Sequence, residues 1–134
     1  MRGVTITDRT EDNFLAINLV DILHQIGQSI EETEWEISAI ECFGNAAEKL
    51  HQIADRKARV PGKVLLQLAE NLTQVIDGVF IGYRNDRLNP WIIIEAVDSS
   101  AYDVQSDSEY VLKRMRQHFK QVADLPSEEI AISR

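Results

Sequence analysis

A chain of 134 residues with 44% hydrophobic and 27% charged side chains, six Gly and three Pro has the composition of one packed domain, not of a disordered or fibrous chain. Its formal net charge of −8 argues against general binding to nucleic acid or to an anionic membrane, which draws on clustered Lys and Arg, and favours a basic protein partner. A single Cys excludes an intramolecular disulfide and Cys-paired zinc patterns.

The segment MRGVTITDRTEDN lacks the apolar run of a signal peptide, and no apolar stretch approaches the ~20 residues that span a bilayer, so a cytoplasmic protein is expected. Within that segment VTIT, residues 4–7, has the composition of a short strand. From Thr10 onward Phe14, Ile17, Leu23 and Ile26 recur at helical spacing, widened by Leu15, Leu19, Ile22 and Ile30. This predicts one long packed helix with Thr10 or Asp12 as its cap.

EETEWEISAIECFG then alternates Trp35, Ile37 and Ala39 against Glu34, Glu36 and Ser38, and turns apolar on both sides at Ile40, Cys42 and Phe43, as a strand entering a core does. Gly44 stops it. Asn45, with Glu48 three residues on, reads as the capping box of a helix running to about Lys57. After the basic link RKARVPG, Pro61 suits the first turn of a third helix, whose spacing holds from Val64 to Ile76 with Gly78 as its stop. Asp77-Gly78 is also a two-residue hairpin signal, but the sustained 3.6-residue spacing favours helix to Ile76.

VFIGYR, WIIIEAV and AYDV, separated by the turn-rich NDRLNP and DSS, form an antiparallel meander. Ser106 and Glu109 make a capping box for a last helix that carries Val111, Leu112, Met115, Phe119 and Val122 inward and ends before Pro126. The expected fold is therefore α+β: a single antiparallel sheet of four or five strands packed with about four helices. It forms one globular domain over residues 1–134, whose ends, 1–9 and 126–134, are expected to fray.

Two surfaces stand out. Trp35 lies among Glu34 and Glu36, and an exposed Trp in that setting, with Trp91 as a second ring, would engage a basic partner. The other is Glu95, set among the apolar residues of WIIIEAV, which with Asp98, Asp103 and Arg84 would form a ligand site on the sheet and, if desolvated, supply a general acid or base. Pairing of Glu95 with Arg84 across the hairpin is the structural alternative. Asp98, Ser99 and Ser100 carry turn chemistry.

Cys42, between Ile40 and Phe43, reads as an inert core thiol. His24, His51 and His118 sit apart on separate predicted helices without ligand spacing, and no glycine-rich phosphate loop or nucleophile elbow occurs. No catalytic residue, metal site or cofactor is expected. The sequence points to a small non-catalytic acidic protein that binds another protein, as an inhibitor, immunity-type partner or regulatory adaptor. The second reading is a small enzyme or ligand-binding domain built around Glu95. Partners are expected to be a basic protein or a second copy of the chain, with nucleic acid and membrane excluded.

Overall fold

In the computed structural model, which describes residues 1–126, every strand joins one sheet. The order along the chain is β1 (Arg2–Ile6), α1 (Leu19–Ile26) with a 3-10 turn (Gly27–Ile30), β2 (Glu34–Phe43), α2 (Ala47–Arg56), β3 (Val60–Pro61), α3 (Gly62–Ala69), β4 (Gln74–Tyr83), β5 (Ile92–Val97), β6 (Ala101–Ser106), α4 (Glu109–His118) and β7 (Val122–Asp124). The sheet runs β3-β2-β4-β5-β6-β1-β7, with every neighbouring pair antiparallel.

The α+β class and the four helices stand, and the strand number is corrected from four or five to seven. The two unforeseen strands are the shortest: β3 has 2 residues and β7 has 3. So few residues show no alternation, and Val122 keeps helical spacing with Phe119. The partner strand, β2 across α2 for β3 and β1 for β7, decides such segments, not local pattern. VTIT is strand β1, held between β6 and β7. The segment SEEIAISR, expected to fray, lies outside the described residues apart from its approach at Leu125 and Pro126.

Three predicted helices shorten. Helix α1 begins at Leu19, because Asn18 caps it by accepting on its side chain while Asp21 reaches back to the Asn18 N–H. Upstream, Asn13 takes φ 68° and Thr10 N–H donates to the Phe14 carbonyl, a tight reversal that leaves Phe14 71% exposed. Helix α3 ends at Ala69, and QVIDGVFIGY is one ten-residue strand that passes through Asp77-Gly78 without a hairpin. Two offsets absorb the glycine: Ala39 and Ile40 of β2 oppose Gly78 alone, and Ile76 is the extra residue between the next pairs. A Cβ at Gly78 would press on Ile40 and the Phe80 ring, which explains the small residue in mid-strand. Helix α4 is capped two residues later than expected, at Ser108 in place of Ser106, with Ser108 accepting the Val111 N–H, and stops at His118, Phe119 already being extended.

Alternation divides the sheet into two unlike faces. Trp35, Ile37, Phe80, Ile92, Ile94, Ala96, Tyr102, Val104, Val4 and Ile6 are buried against Leu19, Ile22 and Leu23 of α1, Leu50 and Ile53 of α2, Leu65 of α3, and Leu112 and Met115 of α4 in one hydrophobic cluster. Among the described residues all four helices thus cover the same side. The opposite face carries Val79, which is buried, and Ile81, Tyr83, Ile93, Glu95, Val97 and Asp103, which are half-buried.

Candidate functional site

The helix-free face is laid out by register. One row across the strands reads Glu36, Ile81, Ile93, Gln105, Gly3; the next reads Ser38, Val79, Glu95, Asp103, Thr5, Ala123; Glu34 and Tyr83 begin a third. An apolar stripe of β-branched residues, Val79, Ile81, Ile93 and Val97, therefore crosses the two central strands β4 and β5. Glu95 and Asp103 stand directly opposite one another beside it.

At the β3 end, arginines from two loops meet the other acids of this face. The Arg59 guanidinium lies 3.6 Å from the Tyr83 ring centroid and 3.9 Å from the Glu36 carboxylate, and it donates to the Arg87 carbonyl at 2.9 Å. Arg87 reaches Glu34 at 3.3 Å. Between them stands the tip of the β4–β5 loop, where Asp86 accepts the N–H groups of Leu88 and Asn89 and the Asn89 side chain, leaving Leu88 86% exposed. Those hydrogen bonds, the Asn89 amide foremost, hold the Asp86 carboxyl below the usual carboxylate range.

The predicted residues divide accordingly. Trp35 and Trp91 are both buried, so neither offers its ring to a partner. The Trp91 indole N–H donates to Thr33 Oγ1 at 3.1 Å, and the Thr33 hydroxyl donates to the Ser29 carbonyl at 2.6 Å. Glu34 and Glu36 do lie on the helix-free face, half-buried. Of the Ile run, only Ile93 faces outward, since Ile92 and Ile94 are in the core.

The proposed set of Glu95, Asp98, Asp103 and Arg84 is not brought together. Glu95 and Asp103 are adjacent, but Asp98 lies in the β5–β6 turn with φ 48°, followed by Ser99 at 56°, and its N–H donates to Asp77 Oδ1. That pair of left-handed residues closes a hairpin, as turn chemistry requires. Arg84 sits 4.3 Å over the Trp91 ring, five positions along from Val79, the β4 residue opposite Glu95, or roughly 17 Å at the rise of a strand. The Glu95–Arg84 pairing considered from sequence is therefore not formed. Residues that sequence reasoning missed as a surface are Val79, Ile81 and Tyr83, whose strand VFIGYR was predicted but whose outward face was not singled out, and Arg59, whose basic stretch was visible but whose target was not.

Concave regions lie elsewhere, among them the following two. A cleft of about 370 Å³ is lined by Asp8, Arg9, Asp21, His118 and Lys120 among others. Its polar groups hold loops: Asp8 accepts the N–H groups of Lys120 and Gln121 at 2.7–3.0 Å, Arg9 donates to the Ser100 carbonyl, and Asp21 accepts from Asn18. A larger groove of about 570 Å³ separates α2 from the rim of β2. Cys42 is buried, and burial pushes its thiol pKa up. Among the described residues no group of three or more His, Cys, Asp or Glu is placed to hold a metal ion, and no helix is long and apolar enough to cross a membrane.

No protein-family model, curated protein or solved structure matches this chain.

Proposed function

We propose that this protein works by binding another protein across the helix-free face of its sheet, with an apolar contact at Ile81 and Ile93, beside the buried Val79, and basic groups of the partner meeting Asp103. The observation that carries this reading is the placement of all four helices on one side, which leaves a β-branched stripe on the other. Contiguous apolar surface rimmed by polar residues is what interaction sites present, and the net charge of −8 steers a basic partner toward it. This reading is preferred to a ligand site around Glu95 because Asp98 and Arg84 stand at opposite ends of the β5 hairpins.

A photo-reactive residue placed at Ile81 in the native organism tests the proposal. It should give an adduct with one basic protein, weakened by Asp103→Lys and by salt, while the same residue at Gln117 on α4 should not. Equal adducts from both positions, or none from Ile81, would overturn it. An adduct with the chain itself would replace the basic partner by a second copy.

A further inference from the structure

We propose that the cavity between α1 and α4, where Gln25, Arg114, Gln117 and His118 meet, binds a phosphate group, either the free ion or one carried by a small molecule. The cavity lies on the helix-covered side of the molecule, so this goes beyond the helix-free face and shares no residue with it.

Helices α1 and α4 pack together, burying Leu19, Ile22, Leu23, Leu112 and Met115. Beside that apolar contact a cavity of about 220 Å³ is lined by Gln25 of α1 and by Arg114, Gln117 and His118 of α4. Arg114 and His118 stand one helical turn apart, on one face of α4. The Arg114 guanidinium donates from Nη2 to Gln25 Oε1 at 2.9 Å, which fixes it across the seam between the helices. With its oxygen so engaged, the Gln25 amide keeps its N–H groups for another acceptor.

The charge on Arg114 is left uncompensated. The residue is half-buried, its Nε is buried without an acceptor, and its hydrogen-bond partner is a neutral amide. Among the described residues the ion pairs belong to Arg2, Arg59, Arg87 and Arg116, and no carboxylate lines this cavity. A guanidinium partly removed from water and short of acceptors gains most from an anion brought beside it. Donors arriving from two helices around one Arg suit the tetrahedral oxygens of phosphate better than the planar pair of a carboxylate. The volume fits a group of that size, since pockets for larger organic ligands begin at about 300 Å³. The neighbouring cleft of about 370 Å³ shares His118 but sets Asp8 and Asp21 against Arg9 and Lys120, charges that balance. The net charge of −8 opposes anions at a distance, so the affinity rests on these contacts and is millimolar.

The test is a titration of the ¹⁵N-labelled full chain with inorganic phosphate at constant pH and ionic strength, run beside sodium chloride and sodium acetate. The expected result is saturable shifts at the side-chain amides of Gln25 and Gln117 and at the His118 ring, with acetate at least tenfold weaker. Arg114→Gln should weaken binding at least tenfold, and Arg114→Lys, which keeps the charge and loses the fork, severalfold. Lys113→Gln, which removes an equal charge from an exposed position outside the cavity, should weaken it less than twofold. If Arg114→Gln fails to fold, the acetate and Lys113→Gln arms decide the matter. Methyl phosphate separates the two sources: binding as tight as inorganic phosphate assigns the site to a phosphate monoester, and tenfold weaker binding assigns it to the free ion.

The proposal is overturned by shifts that do not saturate, by shifts that sodium chloride reproduces, or by acetate binding as tightly as phosphate. Equal losses in Lys113→Gln and Arg114→Gln would also overturn it, since they would mean attraction to the basic helix at large. None of these outcomes bears on Ile81 or Ile93, so this reading and the helix-free face fail separately.

Discussion

At the scale of single residues, several polar groups have assignable structural tasks. Thr33 is 1% exposed and links the Trp91 indole to the Ser29 carbonyl. Thr33→Val keeps the shape but strands the indole N–H, and should cost about 1–3 kcal/mol in denaturant unfolding. Asp86 has its folded carboxyl pKa depressed, so whatever order it lends the β4–β5 loop is present above the ordinary carboxylate range and is lost as pH falls through the depressed value. The amide signals of Leu88 and Asn89 should accordingly move toward random-coil positions on acidification, below the pH at which a free Asp titrates, and Asp86→Asn should blunt that pH dependence. For Cys42 the shift is upward: the thiol stays protonated to higher pH than a free one, and iodoacetamide at pH 8 should label it only under denaturant.

At the scale of elements, close approaches replace side-chain preference. Gly62 opens α3 directly against the 3-10 turn, and a Cβ there would overlap the Ile30 carbonyl. Gly62→Ala should destabilise the fold by about 1–3 kcal/mol, measured by thermal or chemical melting, even though alanine favours helix. The same competition explains what the sequence could disclose. Strands β2, β5 and β6 and helix α2 were legible because their alternation or spacing runs for six residues or more against clear stops. The first half of strand β4 was not, because Leu68, Leu72, Val75 and Ile76 keep helical spacing up to the point where pairing with β2 decides the matter, whereas its second half, VFIGYR, was read as a strand. The helix-free face was half legible: Glu34, Glu36, Glu95 and Asp103 were singled out, yet which carboxylates meet depends on register, and register is a tertiary property. Asp98 and Arg84 were grouped with Glu95 by nearness in sequence, which a hairpin converts into distance.

At the scale of the whole molecule, the sheet is closed by its most distant parts. Strand β1 lies between β6 and β7, pairing Val4 with Val104 and with Asp124, while Val4 and Ile6 are fully buried. The amides of Val4 and Ile6 should therefore be among the slowest in native-state hydrogen exchange, opening together with those of β6. Rapid exchange of β1 with β6 still protected would contradict this. Pairings of such long sequence separation also place folding on the slow side, in the range of milliseconds to seconds.

The position of β1 has a consequence for synthesis. Its residues leave the ribosome well before those of its partners, since neither β6 nor β7 exists until residues 101–106 and 122–124 have been made. At ordinary elongation rates Gly3, Val4, Thr5 and Ile6 spend on the order of 5–20 s as an unpaired β-forming segment. The charged residues on either side, Arg2 before it and Asp8 and Arg9 after it, are of the kind that keeps such a segment from joining another nascent chain. In the finished fold Asp8 instead accepts the backbone N–H groups of Lys120 and Gln121, just before β7, so the residue that guards the segment during the wait also helps to fasten its last neighbour.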